Sequence, residues 1–506
     1  MPPVSLLPKH NAKWSQDQCQ VVEDLAKEFT VSTEQLEAMT EHFVQQMREG
    51  LNTRDSEDLA MIPSFITGRP DGHERGSYLA LDLGGTNLRV CLITLKGNHQ
   101  LETQQKAFKV EQHLQEADVS ELMDFIATSI KKFISTKHIN SKICEHPTGS
   151  ETLELGFTFS FPVDQTSVNS GLLLRWTKGY NCPGAIGNDI VKLLQDALDR
   201  NNVDVHVAAL LNDTVGTLLA YSYSHPGTYI GAIIGTGTNG AYVEHTDNIK
   251  KMKSEAKEMI INTEWGNFDK DKKYLPVTIF DNKLDRESIN PGIHVFEKLI
   301  SGMYLGEVTR NILLHLIDKQ VLCEGSSNSL KLKEHWAFET RFMSAIENDS
   351  STNLIPTAEV LEQELGVYLN TLVDREIIKF VCQLVGTRAA RLSAMAVAAV
   401  IRQGVESGVL RDQKYPFKLS GSQSEKENGK TEDNGTSKEP IHVSIDGSVF
   451  EHYPGFKKRM EEGLVELLGP QAKDLVQMGI AKDGSGVGAA LAALITTKAS
   501  EKTSSK

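Results

Sequence analysis

Hydrophobic and polar positions along the chain alternate between a helical and a strand spacing. Residues 32–50 carry apolar side chains three and four positions apart, which predicts an amphipathic helix. Residues 187–200 have the same spacing and lie between apolar runs at 153–162 and 203–211, which are typical of strands. Longer helical patterns follow near 291–318 and 373–403. The strand–helix–strand order predicts an α/β fold.

Two apolar stretches, residues 78–95 and 229–245, resemble each other. Each consists of a strand, a turn of Gly, Thr and Asn, and a second strand; the turns read "DLGGTN" and "GTGTNG". The second turn matches the dinucleotide motif GxGxxG, but that motif needs a helix directly after the glycines, and "AYVEH" continues as a strand. A plain hairpin would explain one copy. Two copies predict a duplicated core whose turns suit a phosphate chain.

A carboxylate interrupts the apolar stretch "AALLNDTVGTLLAY" at residues 208–221. Asp213 stands where a strand ends and a helix begins, so two interpretations are open. The Asp or the preceding Asn can cap the helix by accepting hydrogen bonds from free backbone amides. Alternatively, Asp213 is a catalytic base, because open α/β sheets bind their ligands at the carboxyl ends of strands.

Composition limits the class of protein. A chain of 506 residues exceeds one ordinary domain, which favours two lobes. A net charge of −14 argues against binding to nucleic acid and against stable association with an anionic membrane. The apolar runs are too short to span a bilayer, and the N-terminus lacks a signal-type apolar segment. Six scattered cysteines without a CxxC pair are typical of reduced thiols, so we expect a cytoplasmic protein.

Two segments have the composition of disordered chain. Residues 420–440 contain no large apolar side chain, which predicts a disordered surface insertion. Its "ENGKT" resembles the end of a phosphate-binding P-loop, but the first glycine of that motif is missing and no strand precedes it. Residues 496–506 are expected to form a disordered tail.

A longer set of motifs identifies a family. The segment "LGFTFSFPVDQTSVNSGLLLRWTKGY" is similar to the sugar-binding signature of hexokinases, and "INTEWGNFD", "PGIHVFEKLISGMYLGE", "VGTRAARLSA" and "IDGSVFEHYPGF" follow in that family's order. From about residue 15 to 495 the chain therefore resembles the hexokinase family of the actin-like ATPase superfamily. "INTEWG" and the size of the chain most resemble fungal glucokinases.

The resemblance implies the fold and the organisation of the chain. It predicts a two-lobed, ribonuclease H-like α/β fold with a duplicated core and a central cleft. Residues 1–73 would form a helical part of the large lobe, 74–212 the small lobe, and 213–495 the rest of the large lobe. The C-terminal helix would return to the small lobe. We expect a monomer or a homodimer.

The resemblance also assigns residues to two sites. The sugar site would consist of Ser160, Phe161, Thr177, Lys178, Asn212, Asp213, Asn239, Glu264 and Glu297. The nucleotide would lie against Asp82, Leu83, Gly84, Gly85, Thr86, Asn87, Thr236, Gly302, Met303, Thr387, Arg388, Ala389, Ala390, Arg391, Ser448, Val449, Phe450, Glu451 and His452.

The implied reaction is the ATP-dependent phosphorylation of a hexose, with glucose the expected substrate, at its 6-hydroxyl, the first step of glycolysis. Asp213 would act as the general base, and Lys178 would contact the transferring phosphoryl group. Asp82 would hold Mg²⁺ through water, since hard cations prefer oxygen ligands.

Two other classes of protein remain open. A hexokinase-like sugar sensor would bind the hexose with little catalysis, but such a protein would not need the intact Asp213 and paired turns of this sequence. Another actin-like ATPase, such as a chaperone, would lack the sugar-binding signature. A test for ATP use that depends on glucose separates these classes.

Overall fold

The computed structural model describes residues 14–54, 56–136, 152–177, 179–323, 330–368, 370–410, 417 and 439–504. The strands are β1 (Ile62–Pro63), β2 (Arg75–Leu83), β3 (Asn87–Gly97), β4 (Gln100–Lys109), β5 (Leu153–Phe159), β6 (Val163–Ser167), β7 (Ser170–Leu173), β8 (Val205–Leu211), β9 (Ile230–Ile234), β10 (Thr238–His245), β11 (Glu258–Asn262), β12 (Ile441–Asp446) and β13 (Val476–Ile480).

The described α-helices alternate with these strands. They are α1 (Gln16–Phe29), α2 (Thr33–Asn52), α3 (Gln112–Glu116), α4 (Val119–Ile134), α5 (Ile190–Arg200), α6 (Asp213–Ser224), α7 (Ile279–Glu287), α8 (Val295–Ile300), α9 (Gly302–Asp318), α10 (Leu330–Lys333), α11 (Thr340–Asn348), α12 (Ile355–Glu359), α13 (Leu372–Ser407), α14 (Ser448–His452), α15 (Phe456–Leu468), α16 (Ala472–Leu475) and α17 (Gly484–Ser504).

The two main sheets repeat one topology. The first has the strand order β4-β3-β2-β5-β8, and the second has the order β1-β11-β10-β9-β12-β13. In each, three consecutive antiparallel strands are followed by two parallel ones, β5 and β8 or β12 and β13. The turns noticed in the sequence join the first two strands of each set. This repeat confirms the duplicated α/β core.

Two helices lie between the sheets, and small residues let them approach closely. A Cβ atom on Gly156 of β5 would lie 1.9 Å from the carbonyl oxygen of Ala489 in α17, and one on Gly488 would lie 2.1 Å from the carbonyl oxygen of Gly216 in α6. On the other side, a Cβ on Gly231 of β9 would lie 2.5 Å from the backbone of α6. The layers are therefore sheet, α17, α6 and sheet.

The C-terminal helix extends further than the sequence indicates. Disorder is predicted from residue 496, whereas α17 continues to Ser504. Thr496 and Thr497 donate their hydroxyls to the carbonyls of Ala492 and Ala493, each at 2.9 Å, so these polar residues remain in the helix. The predicted insertion at 420–440 lies outside the described residues except for Glu439 and Pro440, which lead into β12. The predicted lobe boundaries stay predictions.

Helix α13 runs through the large hydrophobic core. Among the described residues it alone is long and apolar enough to cross a membrane, but 89% of its apolar window is buried inside the protein. Helices α2 and α15 pack against it. Burial on several sides explains why its sequence lacks a polar face.

Helix α13 also carries a buried ion pair. Both terminal nitrogens of Arg388 donate to the carboxylate of Asp281 in α7 at 2.7 Å, and the guanidinium lies 4.5 Å from the ring centroid of Phe29. Asp281 also accepts hydrogen bonds from the backbone nitrogen and the hydroxyl of Thr278. Because Arg388 and Asp281 are both buried, neither can exchange its partner for water.

Replacing Asp281 by Asn should destabilise the fold strongly. The substitution keeps the shape of the side chain but leaves the buried Arg388 charge without its counter-ion, at a cost of about 3 kcal/mol. Urea unfolding followed by circular dichroism measures the change. Glu339→Gln, which breaks an exposed pair with Arg341, is the control and should cost less than about 1 kcal/mol. If both substitutions change the free energy of unfolding by equal, small amounts, the buried pair does not contribute the expected stability.

Candidate active site

The end of β8 places Asn212 and Asp213 side by side. The side-chain oxygen of Asn212 accepts hydrogen bonds from the backbone nitrogen of Thr214 at 2.9 Å and from its hydroxyl at 2.7 Å. Asn212 is therefore the cap of α6, and Asp213 is the first residue of the helix. Asn212 thus makes the capping hydrogen bonds, and Asp213 places its carboxylate in the first turn of α6.

Three more side chains form a connected polar group next to this helix start. The amide nitrogen of Asn239 donates to the side-chain oxygen of Asn262 at 2.8 Å and to Oε1 of Glu264 at 3.2 Å, and Asn262 donates to the same Oε1 at 2.7 Å. Asn239 also lies 3.4 Å from the oxygen of Asn212. The structure thus brings together Asn212, Asn239 and Glu264, which the resemblance assigns to one sugar site.

Glu264 occupies an unusual environment. Its backbone is left-handed, with φ of +54°, two residues after the end of β11. Burial raises the pKa of its carboxyl; the hydrogen bond from Asn262 opposes this rise, and the negative charges of Asp213 and Glu297 add to it. Backbone strain and a perturbed carboxyl together are typical of a functional site.

Glu297 lies on the same side of the cleft, in α8. Its Oε2 accepts a hydrogen bond from the backbone nitrogen of Thr238 at 3.0 Å, and its Oε1 lies 3.7 Å from Nδ1 of His294. The next residue, Lys298, is buried and pairs with Asp285 at 2.7 Å. This pair fixes α8, so the position of the Glu297 carboxylate is determined by the fold.

The five-stranded sheet supplies the opposite side of the cleft. Strands β5 and β8 are parallel and pair Thr158 with Leu211, so Ser160 and Asp213 each stand two residues beyond a paired position. Phe161 follows Ser160, but its ring packs against Trp176 and Tyr180 at 5.1 and 5.3 Å between centroids.

The ring of Phe161 also lines a cavity of about 10 Å³, close to the volume one water molecule needs, together with Asn212 and Glu264. Thr177 is half-buried, and its carbonyl accepts a hydrogen bond from Tyr180. Lys178 lies outside the described residues.

The first Gly/Thr turn is held tightly at its base and open at its tip. The nitrogen of Gly84 donates to the carbonyl of Asn87 at 2.9 Å, while the carbonyls of Gly84 and Gly85 accept from Tyr180 and Gln115. The side chains of Thr86 and Asn87 are exposed. Leu83 is fully buried in the core, so only its backbone can face a ligand.

Asp82 precedes this turn and is paired. Its Oδ2 accepts hydrogen bonds from Arg89 at 2.5 Å and from the hydroxyl of Ser485 at 2.9 Å. Sequence reasoning missed Arg89, Ser485 and Asn262. Arg89 stands two residues after the first Gly/Thr turn, and Asn262 precedes Glu264 by two residues; these positions were the available signals.

Three backbone segments meet at the second Gly/Thr turn. A Cβ on Gly302 would lie 3.1 Å from the carbonyl oxygen of Gly235, and one on Gly447 would lie 2.4 Å from the carbonyl carbon of Ile234. Thr236 is exposed, and Met303 donates its backbone nitrogen to the carbonyl of Thr236. Glycine at these positions therefore lets the three backbone segments approach closely beside the start of α9.

The stretch predicted to border the adenosine lies within a helix. Thr387, Arg388, Ala389, Ala390 and Arg391 lie in the middle of α13. Arg388 and both alanines are buried, and Arg391 pairs with Glu466 at 2.8 Å. Arg388 and Arg391 are thus held in ion pairs, whereas the hydroxyl of Thr387 is buried without a hydrogen-bond partner among the described residues. The assignment of this stretch to the nucleotide stays a prediction.

Part of the predicted nucleotide motif at residues 448–452, which follows β12, also lies in the hydrophobic core. Val449 and Phe450 are buried, whereas Ser448, Glu451 and His452 are exposed. Helix α13 reaches this motif at Gly386, where a Cβ would lie 2.6 Å from the hydroxyl of Tyr453.

The duplicated sheets, the paired Gly/Thr turns and the polar group between them define a two-lobed phosphotransferase of the actin-like ATPase fold. Comparison with known proteins narrows this class. Two family models, both described as hexokinase, match residues 21–223 and 229–495. The chain therefore belongs to the hexokinase family.

Individual relatives agree over nearly the whole chain. Hexokinase-1 of Schizosaccharomyces pombe is 39% identical over 490 residues, covering 96% of this chain and 92% of the relative. The glucokinase of Aspergillus niger is 37% identical over 509 residues, covering 94% and 96%. A hexokinase structure from Schistosoma mansoni complexed with glucose covers 94% of this chain and 99% of that chain, with a TM-score of 0.77 and 31% identity. These sequence identities do not separate hexokinases from glucokinases.

Replacing Glu264 by Gln should stabilise the fold in a pH-dependent way. The folded-state pKa of Glu264 lies above its ordinary value, so ionisation costs stability above that pKa and the cost vanishes as the pH falls toward the unfolded value. We expect the variant to melt a few degrees higher than the parent at about pH 8 and to lose this advantage at about pH 5. Thermal unfolding at both pH values measures this.

The exposed substitution Glu461→Gln on α15 is the matched control and should show no such dependence. A Glu264→Gln variant that is less stable than the parent at both pH values would contradict the assigned burial effect.

Proposed function

We propose that this hexokinase transfers the γ-phosphoryl group of ATP to the 6-hydroxyl of a hexose, with glucose as the preferred substrate. The single observation that carries the proposal is the hydrogen-bonded group of Asn239, Asn262 and Glu264 directly beside Asn212 and Asp213. The enzyme class follows from the family, whereas the residue roles, the hexose and the phosphate-site assignments are proposals.

A hexose suits this polar group because each of its hydroxyls both donates and accepts hydrogen bonds. The carboxylates of Glu264 and Glu297 accept only, and the amides of Asn212 and Asn239 can do both. Both carboxylates are already oriented. The left-handed backbone and a hydrogen bond from Asn262 orient Glu264. The backbone nitrogen of Thr238 orients Glu297. Preorganised acceptors of this kind lose little entropy when a sugar binds.

Asp213 has the chemistry that the reaction requires. It stands at the carboxyl end of β8 and is the first residue of α6, whose cap is supplied by Asn212. As the 6-hydroxyl oxygen attacks phosphorus, its proton passes to a carboxylate oxygen of Asp213. The bond between the γ-phosphorus and the bridging oxygen breaks, and ADP leaves with that oxygen.

The two Gly/Thr turns fit a triphosphate. Thr86, Asn87 and Thr236 are exposed, and Gly235 and Gly302 let two backbone segments meet closely beside the second turn. Arg89 and Ser485 both donate hydrogen bonds to Oδ2 of Asp82. Asp82 would hold Mg²⁺ through water, since hard cations prefer oxygen ligands. When bound, Mg²⁺ supplies positive charge to the phosphate oxygens. The cytoplasmic location and the monomeric or homodimeric state remain proposals.

A coupled assay across three sugars tests the substrate. The purified protein is mixed with ATP and Mg²⁺, and ADP release is followed with glucose, mannose or fructose. We expect turnover that depends on sugar and the highest kcat/KM with glucose. ADP release that is independent of sugar would overturn the proposal, and binding of glucose without turnover would favour a sugar sensor.

Asp213→Asn tests the general base. The variant keeps the shape of the side chain but cannot accept the proton, so we expect kcat to fall at least about 10²-fold with the melting temperature nearly unchanged. Asp196→Asn, on the exposed face of α5, is the matched control and should retain parental kcat. Near-parental turnover of the Asp213 variant would show that another group takes the proton.

A further inference from the structure

One contact spans the mouth of the cleft. Arg175 follows β7, on the side of the five-stranded sheet, and His294 precedes α8, on the side of the six-stranded sheet. A terminal nitrogen of Arg175 lies 3.3 Å from Nε2 of His294. On the other edge of the same ring, Nδ1 lies 3.7 Å from Oε1 of Glu297. The imidazole therefore stands between a cation from one side of the cleft and a carboxylate from the other.

The partners determine where the ring carries its proton. A guanidinium can only donate hydrogen bonds, so the contact with Arg175 requires a lone pair on Nε2. The proton of the neutral ring is then on Nδ1, the nitrogen that faces Glu297. Nδ1 faces Oε1 of Glu297 at 3.7 Å, an electrostatic contact longer than a hydrogen bond, while Oε2 of the same carboxylate is held by the backbone nitrogen of Thr238.

The backbone holds His294 in place for this contact. Its φ is +55°, a left-handed conformation that is uncommon outside glycine. Its nitrogen donates to the side chain of Asn267 at 3.3 Å, in the turn that begins at Glu264. The loop before it is anchored where Gly292 donates to Asp285 at 2.9 Å. A strained residue with this much support is typical of a position under functional constraint.

We propose that His294 is a positioning residue that joins Arg175 to Glu297 when the cleft is closed. The ring orients the Glu297 carboxylate and makes its orientation depend on the opposite side of the cleft. Separation of the two sides breaks the contact between Arg175 and His294, so the bridge contributes to sugar affinity only in the closed state. This inference rests on the proposed function, because Glu297 is taken to bind the hexose.

A double-mutant cycle tests the bridge. The variants are His294→Ala, Arg175→Met and the double variant, with glucose KM and kcat from the coupled assay and glucose binding from tryptophan fluorescence, which Trp176 is placed to report. Each single substitution should raise KM and the dissociation constant roughly tenfold, the effect expected for losing a hydrogen bond to a charged group. We expect kcat to change less than about threefold, because Asp213 and the phosphate turns are untouched.

The double variant should bind glucose no more weakly than either single variant, because the same bridge is lost in all three variants. His294→Gln should restore most of the affinity, because the amide also offers one acceptor and one donor. The exposed His335→Gln is the matched control and should leave both constants unchanged. A purely structural role of His294 would instead lower the melting temperature and kcat together.

The outcomes separate the bridge from the proposed function. Lack of sugar phosphorylation by the parent protein would overturn the proposed function. If the parent protein is active, two results would overturn the bridge alone. One is a double variant in which the two single effects on KM multiply, and the other is an unchanged KM in both single variants. If His294→Ala does not fold, Arg175→Met still decides, because Arg175 is exposed and its loss leaves the core intact; an unchanged KM in that variant would reject the bridge.

Discussion

The close approach of four backbone segments at glycine positions determines the rest of this structure. Gly156 of β5 meets α17, Gly488 of α17 meets Gly216 of α6, and Gly231 of β9 meets the other side of α6. The two sheets are thereby connected through two helices with no side chain between the backbones. Because proteins pack densely, a single added methyl group at any of these contacts would have to move a whole layer. The place where α6 begins, and hence where Asp213 stands, is fixed by this packing.

That packing also explains why the polar group collects where it does. Strands β5 and β8 end beside the start of α6, and the hairpin of β9 and β10 brings Asn239 to the same point. Only β11 and α8 then have to supply carboxylates. They supply Glu264, which is itself left-handed, and Glu297, whose helix begins after the left-handed His294; hydrogen bonds around these two left-handed residues offset their strain. The sheets thus position the amides, and strained loops position the acids.

Much of this could be predicted from the sequence because it depends on local pattern. The duplicated strand–turn–strand units and the position of Asp213 at the end of a strand are visible as spacing. Asn262 and Arg89 could not be assigned, since their contacts depend on strand register. The environment of the stretch from Thr387 to Arg391 could not be predicted either, because a motif does not reveal which face of a helix is covered. Arg388 meets Asp281 more than 100 residues away, a distance in sequence that no local pattern encodes.

Helix α13 has a consequence for synthesis of the chain. It ends at Ser407, whereas α15, one of the helices that cover it, begins at Phe456. A ribosome therefore releases the longest of the described helices, a largely buried one, while part of its covering layer has not yet been made. During that interval its side chains are exposed to other nascent chains, which is the condition under which large proteins aggregate or engage chaperones. The order of segments along the chain thus makes translation speed through residues 408–468 a factor in the yield of folded enzyme.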